Sequence, residues 1–259
     1  MSHKKLTAIY LYPIKSLAGI SLNNTKIFNT GLEFDRNWMI IDEEKKFVTQ
    51  RTHPILGAII PTIEGSKIQL THNNSRVEYD INQTQPTTFS TKVWNDSVDV
   101  SPVSNEVDAW LSNIIKEKCT LVKINGKRAN SNNNELSLTL TDQHPLLIIG
   151  SASLKDASVK TGDDLDIRRF RPNFVIETET PYEEDHWKKF TIGSSTFTGI
   201  QRCGRCMMIN VNPSTFTPDK ELLKQLSEFR KLDHKIAFGL HATGYEGGNV
   251  SIGDRVVVF

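Results

Sequence analysis

Two cysteines three positions apart, Cys203 and Cys206, are the clearest candidates for chemistry in this 259-residue sequence. They lie in "GIQRCGRCMMINVNP", residues 199–213, beside Arg202 and Arg205. A redox pair with this spacing normally begins a helix, because the helix dipole lowers the pKa of one thiol. The following "MMINVN" instead predicts a strand and a turn. This pattern disfavours a thioredoxin-like redox pair.

A structural zinc site is disfavoured as well, because zinc usually takes four ligands from closely spaced pairs. No cysteine follows Cys206, and His234 and His241 are seven residues apart. Free cysteine is among the most buried residues, so packing explains Cys203 equally well. Cys206 differs, since the two neighbouring arginines favour a thiolate, which is a soft ligand suited to a transition metal.

Polar donors occur at predicted loop positions in both halves of the chain. They are Lys15 and Ser16 in "YPIKSLAG", Arg36 in "GLEFDRNWMIID", and Arg168, Arg169, Arg171 and Asn173 in "RRFRPNFVI". Taken singly, a charged side chain at a strand end is simply solvated. Together they supply the donors that a phosphorylated cofactor with many acceptor atoms requires. The sequence has neither a P-loop nor a dinucleotide fingerprint, so a nucleotide is not the expected ligand.

Acid–base candidates are fewer. Asp142 and His144, in "TDQHPLLII", precede an apolar run that predicts a buried strand. They either line a site at the mouth of that strand or cap a turn.

The overall composition excludes some partners and locations. With 31 basic and 30 acidic residues the net charge is +1, which gives no reason to expect nucleic acid or an anionic membrane as the main partner. No apolar stretch of about 18 residues and no leader-like apolar region occurs, so we expect no membrane anchor. Three cysteines suit a reducing compartment, and a cytoplasmic location is therefore expected.

Hydrophobic periodicity predicts a mixed, mainly β (α+β) fold. The first hundred residues contain short strand-like runs, whose alternation and spacing predict a barrel or a curled sheet: "LTAIYLYPI", "WMIID", "KIQLTH", "RVEYDI" and "SVDVSPV". Ser104 is placed to cap a helix with one apolar face: Val107, Trp110, Leu111, Ile114 and Ile115.

Further elements are predicted in the second half. A buried strand from Leu146 to Ile149 leads into a helix near Ser151. Another helix is predicted with Thr217 as its cap, Pro218 at its first position and an apolar face of Leu222, Leu223, Leu226 and Phe229. The asparagine-rich residues 125–137 predict an exposed loop.

Eight motifs in order carry a resemblance to a known family. They are "YPIKSLAG", "GLEFDRNWMIID", "FVTQR", "VWNDSV" with "WLSNII", "LLIIGSASL", "RRFRPNFVI", "CGRCMMINVNPST" and "NVSIGDRVVVF". The chain resembles the MOSC family in its two-part form and is similar to amidoxime-reducing component enzymes and their bacterial relatives. The resemblance implies a MOSC N-terminal β-barrel domain over residues 1–119 and a barrel-like MOSC domain with peripheral helices over residues 120–259.

The resemblance also implies a cofactor and its site. A pyranopterin molybdenum cofactor would lie between the two domains, with Cys206 as the molybdenum-binding thiolate. The positions that match cofactor-anchoring residues are Lys15, Ser16, Arg36, Arg171, Asn173 and Arg205. Asp142 falls where related enzymes have an acidic residue near the metal. Cys203 has no role in this comparison.

The reaction implied by the resemblance is reduction of N-hydroxylated compounds such as amidoximes, hydroxylamines and N-hydroxylated bases. Oxygen would pass to molybdenum, with Asp142 as a proton donor. Two alternatives remain open at this stage. The chain could instead carry sulfur or molybdenum cofactor, using a persulfide on Cys206, or it could be a non-catalytic binding module with both cysteines in the core.

Two departures from the family pattern change the expected partners and charge. Some bacterial relatives carry a ferredoxin-like extension with four cysteines, whereas no cysteine follows Cys206 here. We therefore expect a separate electron-donor protein of flavin, haem or ferredoxin type. Asn212, in "VNP", stands where the family often has aspartate, which keeps the turn but removes a charge.

Overall fold

The computed structural model describes residues 4–130, 133–219, 221–245 and 247–259. Its strands are β1 (Leu6–Leu11), β2 (Ile20–Leu22), β3 (Asn24–Phe28), β4 (Gly31–Leu32), β5 (Trp38–Asp42), β6 (Ile60–Glu64), β7 (Lys67–His72), β8 (Ser75–Asp80), β9 (Phe89–Val93), β10 (Asp96–Pro102), β11 (Cys119–Ile124), β12 (Arg128–Asn130), β13 (Asn133–Leu138), β14 (Leu146–Gly150), β15 (Phe174–Ile176), β16 (Lys189–Ile192), β17 (Ser195–Gly204), β18 (Lys231–Leu232), β19 (Lys235–Gly244), β20 (Asn249–Ser251) and β21 (Val256–Val258).

The α-helices among these residues are α1 (Asn105–Ile115), α2 (Ser151–Thr161) and α3 (Glu221–Arg230), and short 3-10 helices cover Pro54–Ala58, Ile167–Arg169, Glu183–His186 and Met207–Asn210. The expectation of a mainly β fold with a few helices is confirmed. The described chain divides into two compact units. Unit 1 contains the described parts of residues 1–11, 21–33 and 144–259, and unit 2 contains residues 12–20 and 34–143.

Unit 2 is built from antiparallel sheets around an apolar core. One sheet has the order β5-β11-β10-β9, a second has the order β6-β7-β8, and β12 pairs with β13. Helix α1 begins as predicted, because the Ser104 side chain accepts a hydrogen bond from the Glu106 amide. Its buried residues Val107, Leu111 and Ile115 join the core that contains Trp38. Strands β7 and β8 bury one face against this core, whereas β5 is buried on both faces.

The hairpin between β9 and β10 places an unusual residue at its turn. Val93 pairs with Asp96, so Trp94 and Asn95 form a two-residue turn. Trp94 has φ of 58°, in the left-handed region that such turns require and that asparagine or glycine normally supplies. A bulky residue in this conformation is strained and is often associated with function.

Unit 1 is organised by a large sheet with the order β2-β1-β15-β14-β19-β17-β16-β21, with β18 paired to β19. Strand β14 runs parallel to β15 and antiparallel to β19, as expected for a buried strand that continues into helix α2. Helices α2 and α3 contribute Ala157, Leu222 and Leu226 to a core that includes Phe170 and Phe238. The strand β17 leads directly to the two cysteines.

Three local predictions are wrong. Residues Met207–Asn210 form a 3-10 turn where a strand was expected. Helix α3 begins at Glu221, and Pro218 forms an isolated β-bridge with Val211 instead of starting the helix. The asparagine-rich segment contains the strands β12 and β13, although residues 131–132 within it lie outside the described residues. Tertiary pairing decides the conformation in each case, because these sequences have no strong local preference.

Candidate functional site

Lys15 is the centre of a polar cluster in unit 2. Its ammonium group lies 2.5 Å from Asp142 Oδ1 and donates a second hydrogen bond to the Leu140 carbonyl at 3.1 Å. The Lys15 side chain is 7% exposed and that of Asp142 is 62% exposed. Burial lowers the pKa of Lys15 below its ordinary value of 10.5, although Asp142 offsets part of that effect. The structure thus brings together two of the residues identified from the sequence.

Asp142 is held in its ionised form. Desolvation on the side facing the protein raises its pKa, but the charge of Lys15 and hydrogen bonds from Lys15 and Trp94 lower it by more. Its pKa therefore lies well below the usual range. Trp94 Nε1 donates to the same Oδ1 atom at 2.8 Å. At neutral pH this carboxylate is a hydrogen-bond acceptor, which argues against the expected role as a proton donor.

Arg36 and Ser16 share a strained backbone conformation. Ser16 has φ of 70° and Arg36 has φ of 50°. The Arg36 guanidinium contacts the buried carboxylate of Asp35 and lies 4.3 Å from the centroid of the Tyr12 ring. Ser16 is 3% exposed as a residue, and its hydroxyl has no hydrogen-bond partner among the described residues. Strain of this kind persists where the surrounding structure enforces it, commonly at binding sites.

Arg128 fixes the backbone that carries Asp142, and sequence analysis did not identify it. Its guanidinium pairs with Asp96 and donates to the Thr141 carbonyl at 2.5 Å and the Thr139 carbonyl at 3.3 Å. Arg128 is 2% exposed. It lies in the asparagine-rich segment, whose composition predicts an exposed loop, so no local signal marked it.

Cys206 and Cys203 have different surroundings in unit 1. Cys206 is exposed, directly precedes the 3-10 turn Met207–Asn210, and its Sγ has no hydrogen-bond partner among the described residues. Cys203 is 6% exposed and its Sγ accepts a hydrogen bond from Arg205 Nη1 at 3.0 Å. The burial of Cys203 that packing predicts is confirmed.

The chain between the two cysteines is extended. Gly204 pairs with Ala237, and the Arg205 amide donates to the Ile236 carbonyl at 2.6 Å. Three extended residues separate the two Cα atoms by roughly 10 Å. A disulfide requires Cα atoms within about 7 Å. The geometry therefore disfavours a redox pair, even though a short 3-10 turn does follow Cys206.

The arginines near Cys206 are directed elsewhere. The Arg202 guanidinium lies 3.4 Å from Asp185 and 3.3 Å from Asp233. Arg205 also donates to the Phe170 carbonyl at 2.8 Å and stacks on the Phe170 ring. Neither guanidinium hydrogen-bonds to Cys206 among the described residues, and the expected electrostatic support of its thiolate stays a prediction.

Arg171 and Asn173 lie on either side of Pro172, just before β15. Arg171 has φ of 54°, a third strained position among the residues identified from the sequence. Asn173 is buried, accepts a hydrogen bond from the Leu147 amide at 3.1 Å and donates to the Tyr10 carbonyl at 3.3 Å. Asn173 thus links three strands of the sheet, and its cofactor role stays a prediction.

His144 belongs to unit 1 and forms a pair with His241. The ring centroids are 4.6 Å apart, and His144 Nε2 lies 2.9 Å from Gln201 Nε2. Burial and the neighbouring imidazole lower the pKa of His144 to about 3. The ring is consequently neutral at physiological pH.

Buried polar atoms without partners indicate where a ligand with many acceptors would be accommodated. In unit 1, Arg205 Nε is buried and has no hydrogen-bond partner among the described residues. Leaving such groups unpaired costs about 1–3 kcal/mol each, so a polar ligand would satisfy them. The guanidinium and ammonium donors of Lys15, Arg36 and Arg205 are of the kind that suits an acceptor-rich group, and their cofactor role stays a prediction.

The chain is similar to several known proteins. The chain is 29% identical over 280 residues to molybdenum cofactor sulfurase of Oryza sativa subsp. japonica, covering 96% of this chain and 34% of that protein. It is 29% identical to the protein of the same name from Danio rerio, covering 97% and 34%. The chain thus spans about a third of the length of the curated relatives it matches.

A solved structure and two family descriptions also match. The YUAD protein from Bacillus subtilis aligns over 98% of this chain and 94% of that chain, with a TM-score of 0.48 and 9% identity. No helix in the described parts of the chain is long and apolar enough to cross a membrane. Residues 3–118 match the MOSC N-terminal beta barrel domain and residues 135–257 match the MOSC domain. The chain therefore belongs to the MOSC family.

Proposed function

We propose that this chain is a sulfur or molybdenum-cofactor carrier that holds a persulfide on Cys206. The observation that carries the proposal is the exposed, unpartnered Sγ of Cys206, next to a Cys203 that is buried and hydrogen-bonded. An accessible thiol can receive sulfur from another protein and release it again. The curated relatives, molybdenum cofactor sulfurases, support this direction over the reductase.

The sulfur transfer follows thiol–disulfide exchange. The Cys206 thiolate attacks the outer sulfur of a persulfide on a donor protein, the donor S–S bond breaks, and the donor leaves as a thiolate. Cys206 then carries the persulfide until an acceptor nucleophile takes its outer sulfur by the same exchange. The extended backbone from Cys203 to Arg205 keeps Cys203 from competing for that sulfur.

The anchoring residues give the carrier a place for the cofactor. The proposed anchors in unit 2 are Lys15, Ser16 and Arg36, and those in unit 1 are Arg171, Asn173 and Arg205. Their guanidinium, ammonium and hydroxyl donors suit an acceptor-rich anionic group. When bound, the molybdenum cofactor supplies a redox metal for which the Cys206 thiolate is a suitable soft ligand.

A second candidate is a molybdenum-dependent reductase of N-hydroxylated compounds. The Lys15–Asp142 pair favours it, because the pair places an ionised carboxylate, for which the carrier has no role, beside a proposed cofactor-anchoring lysine. In this version Asp142 accepts and orients a donor group on the substrate, and a separate flavin, haem or ferredoxin protein supplies electrons.

Sulfur loading tests the first proposal. The protein is incubated with a persulfide-bearing cysteine desulfurase and cysteine, and the mass gained is mapped on peptides from wild type, Cys206→Ser and Cys203→Ser. Added sulfur on the Cys206 peptide, retained in Cys203→Ser and lost in Cys206→Ser, supports the carrier. Absence of added sulfur in wild type contradicts it.

Activity distinguishes the second candidate. Protein purified from a cofactor-competent host is assayed with benzamidoxime and a chemical reductant after its molybdenum and pterin contents are measured. Turnover that requires bound cofactor and disappears in Cys206→Ser supports the reductase. Cofactor-loaded protein without turnover contradicts it.

A further inference from the structure

Arg51 and Trp94 lie in two motifs, "FVTQR" and "VWNDSV", that the proposed function leaves without a role. The structure brings them together in unit 2, where the Arg51 guanidinium lies 4.9 Å from the centroid of the Trp94 ring. Trp94 also makes an edge contact with Phe47, at 5.3 Å between ring centroids. Both residues therefore belong to one exposed surface beside Asp142.

Trp94 is fixed in place and remains accessible. It is 48% exposed, whereas Trp38 and Trp187 are buried. Its indole N–H donates to Asp142 Oδ1, and its backbone takes the left-handed conformation of the β9–β10 turn. An exposed aromatic ring that is held by three contacts in a strained turn is suited to stacking on a planar ligand.

Arg51 is an unpaired cation at this surface. The other cations of the cluster have carboxylate partners, since Lys15 pairs with Asp142, Arg36 with Asp35 and Arg128 with Asp96. The exposed Arg51 guanidinium has no hydrogen bond or ion pair to the described residues. Asp142, already paired with Lys15, acts on Arg51 only over a longer distance, so the Arg51 guanidinium is the cation of this cluster without a direct carboxylate contact among the described residues. A guanidinium whose N–H donors are free binds carboxylates and other oxyanions in its fork geometry.

We propose that Arg51 and Trp94 form a binding subsite for a planar ring that carries an oxyanion. The guanidinium of Arg51 binds the oxyanion, and the exposed indole of Trp94 stacks on the ring. Asp142 does not repel the ligand, because Lys15 already balances its charge. The subsite selects ligands by ring shape and charge, and it does not depend on sulfur chemistry at Cys206.

Ligand titration followed by NMR tests the subsite. The indole N–H signal of Trp94, assigned by its loss in Trp94→Phe, is monitored in the full chain during addition of benzoate. Cyclohexanecarboxylate has the charge without the planar ring, and benzamide has the ring without the charge. We expect saturable shifts with benzoate and binding at least about fivefold weaker for each analogue.

Variants identify which groups bind the ligand. Arg51→Gln should weaken benzoate binding about tenfold or more, and Trp94→Leu should weaken it about three- to tenfold. Because Trp94→Leu removes the indole signal, its benzoate affinity is measured by calorimetry. Arg76→Gln, which removes another exposed arginine of unit 2, and Trp110→Phe should leave the affinity unchanged. Arg51→Lys should recover only part of the loss, because lysine lacks the fork.

Three results would contradict the proposed subsite. Equal binding of benzoate and its analogues, unchanged affinity in Arg51→Gln, or no saturable benzoate shift in wild type each contradicts the subsite. Cys206→Ser is included because it should bind benzoate normally. A loss of sulfur loading without loss of benzoate binding therefore separates failure of the proposed function from failure of this inference.

Discussion

Replacing Asp142 by asparagine tests the electrostatics of the unit 2 cluster. Lys15 Nζ is 2.5 Å from Asp142 Oδ1 and its side chain is 7% exposed, so Asp142→Asn leaves a buried ammonium without its counter-charge. Breaking a fully buried pair costs about 3–5 kcal/mol, and breaking an exposed pair costs about 0–1 kcal/mol. Because Asp142 itself is 62% exposed, we expect a loss near the lower range, about 1–2 kcal/mol at pH 7.

The loss should depend on pH in a defined direction. The folded protein lowers the pKa of Lys15 below 10.5, and removal of Asp142 lowers it further. The full penalty applies at pH values below the folded-state pKa of Lys15, where the lysine is charged in both folded and unfolded chains. As pH rises through the folded-state pKa toward 10.5, the unfolded chain binds more protons than the folded chain, and the penalty is relieved. The difference in the free energy of unfolding between wild type and Asp142→Asn should therefore become smaller as the pH rises.

Urea unfolding, followed by circular dichroism at several pH values, measures this gap. Lys15→Met provides the matched control, because it removes the buried charge and leaves Asp142 in contact with solvent. Asp142→Asn should cost less than about 0.5 kcal/mol when it is added to Lys15→Met. The reasoning is refuted if Asp142→Asn is as stable as wild type at pH 7, or if the gap is the same at neutral pH and at about pH 10.

Three further substitutions have expected outcomes. Burial raises the pKa of Asp108 from 3.8 to about 6, so its charged form is unfavourable in the folded protein. Asp108→Asn should therefore stabilise the protein by about 1 kcal/mol at pH 7 and give no gain in stability below about pH 4. Urea unfolding measures both effects. The buried carboxylate of Glu184 accepts hydrogen bonds at the start of α2, and Glu184→Ala should cost about 2–3 kcal/mol, measured by thermal and urea unfolding. A Cβ at Gly199 would lie 2.0 Å from the Trp187 carbonyl oxygen, so Gly199→Ala should lower the melting temperature. Gly204→Ala is the control for steric overlap, because its Cβ would come no closer than 3.4 Å to Lys235.

Each of these three substitutions has one result that would contradict the expected outcome. A destabilised Asp108→Asn at pH 7 would show that its carboxylate is favourable in the folded state. A Glu184→Ala variant as stable as wild type would show that the start of α2 needs no acceptor from that residue. A Gly199→Ala variant with the same melting temperature as wild type would show that β17 accommodates the added Cβ.

The elements with strong hydrophobic periodicity could be predicted from the sequence. The apolar run "WMIID" and the alternation in "KIQLTH" predict β5 and β7, and Ser104 followed by an amphipathic run predicts α1. Segments without periodicity were predicted less well. The "MMINVN" residues and the start of α3 take conformations set by packing on β19 and by the bridge between Val211 and Pro218.

Candidate site residues were recognisable where their types suit an acceptor-rich ligand, as for Lys15 and Arg36. Contacts between distant residues could not be predicted, because they depend on the fold. Arg128 reaches the carbonyls near Asp142 from a segment that has the composition of a loop. Trp94 is exposed at a hairpin turn, and only its left-handed φ and its hydrogen bond to Asp142 distinguish it from an ordinary surface aromatic residue.

The most direct test of the central claim is the number and position of releasable sulfur atoms after loading by a persulfide donor. Reduction of loaded wild-type protein should release a single sulfide per chain, and Cys203→Ser should release the same amount. Cys206→Ser should release none. Equal release from Cys206→Ser and wild type would contradict the assignment of Cys206 as the sulfur-carrying residue.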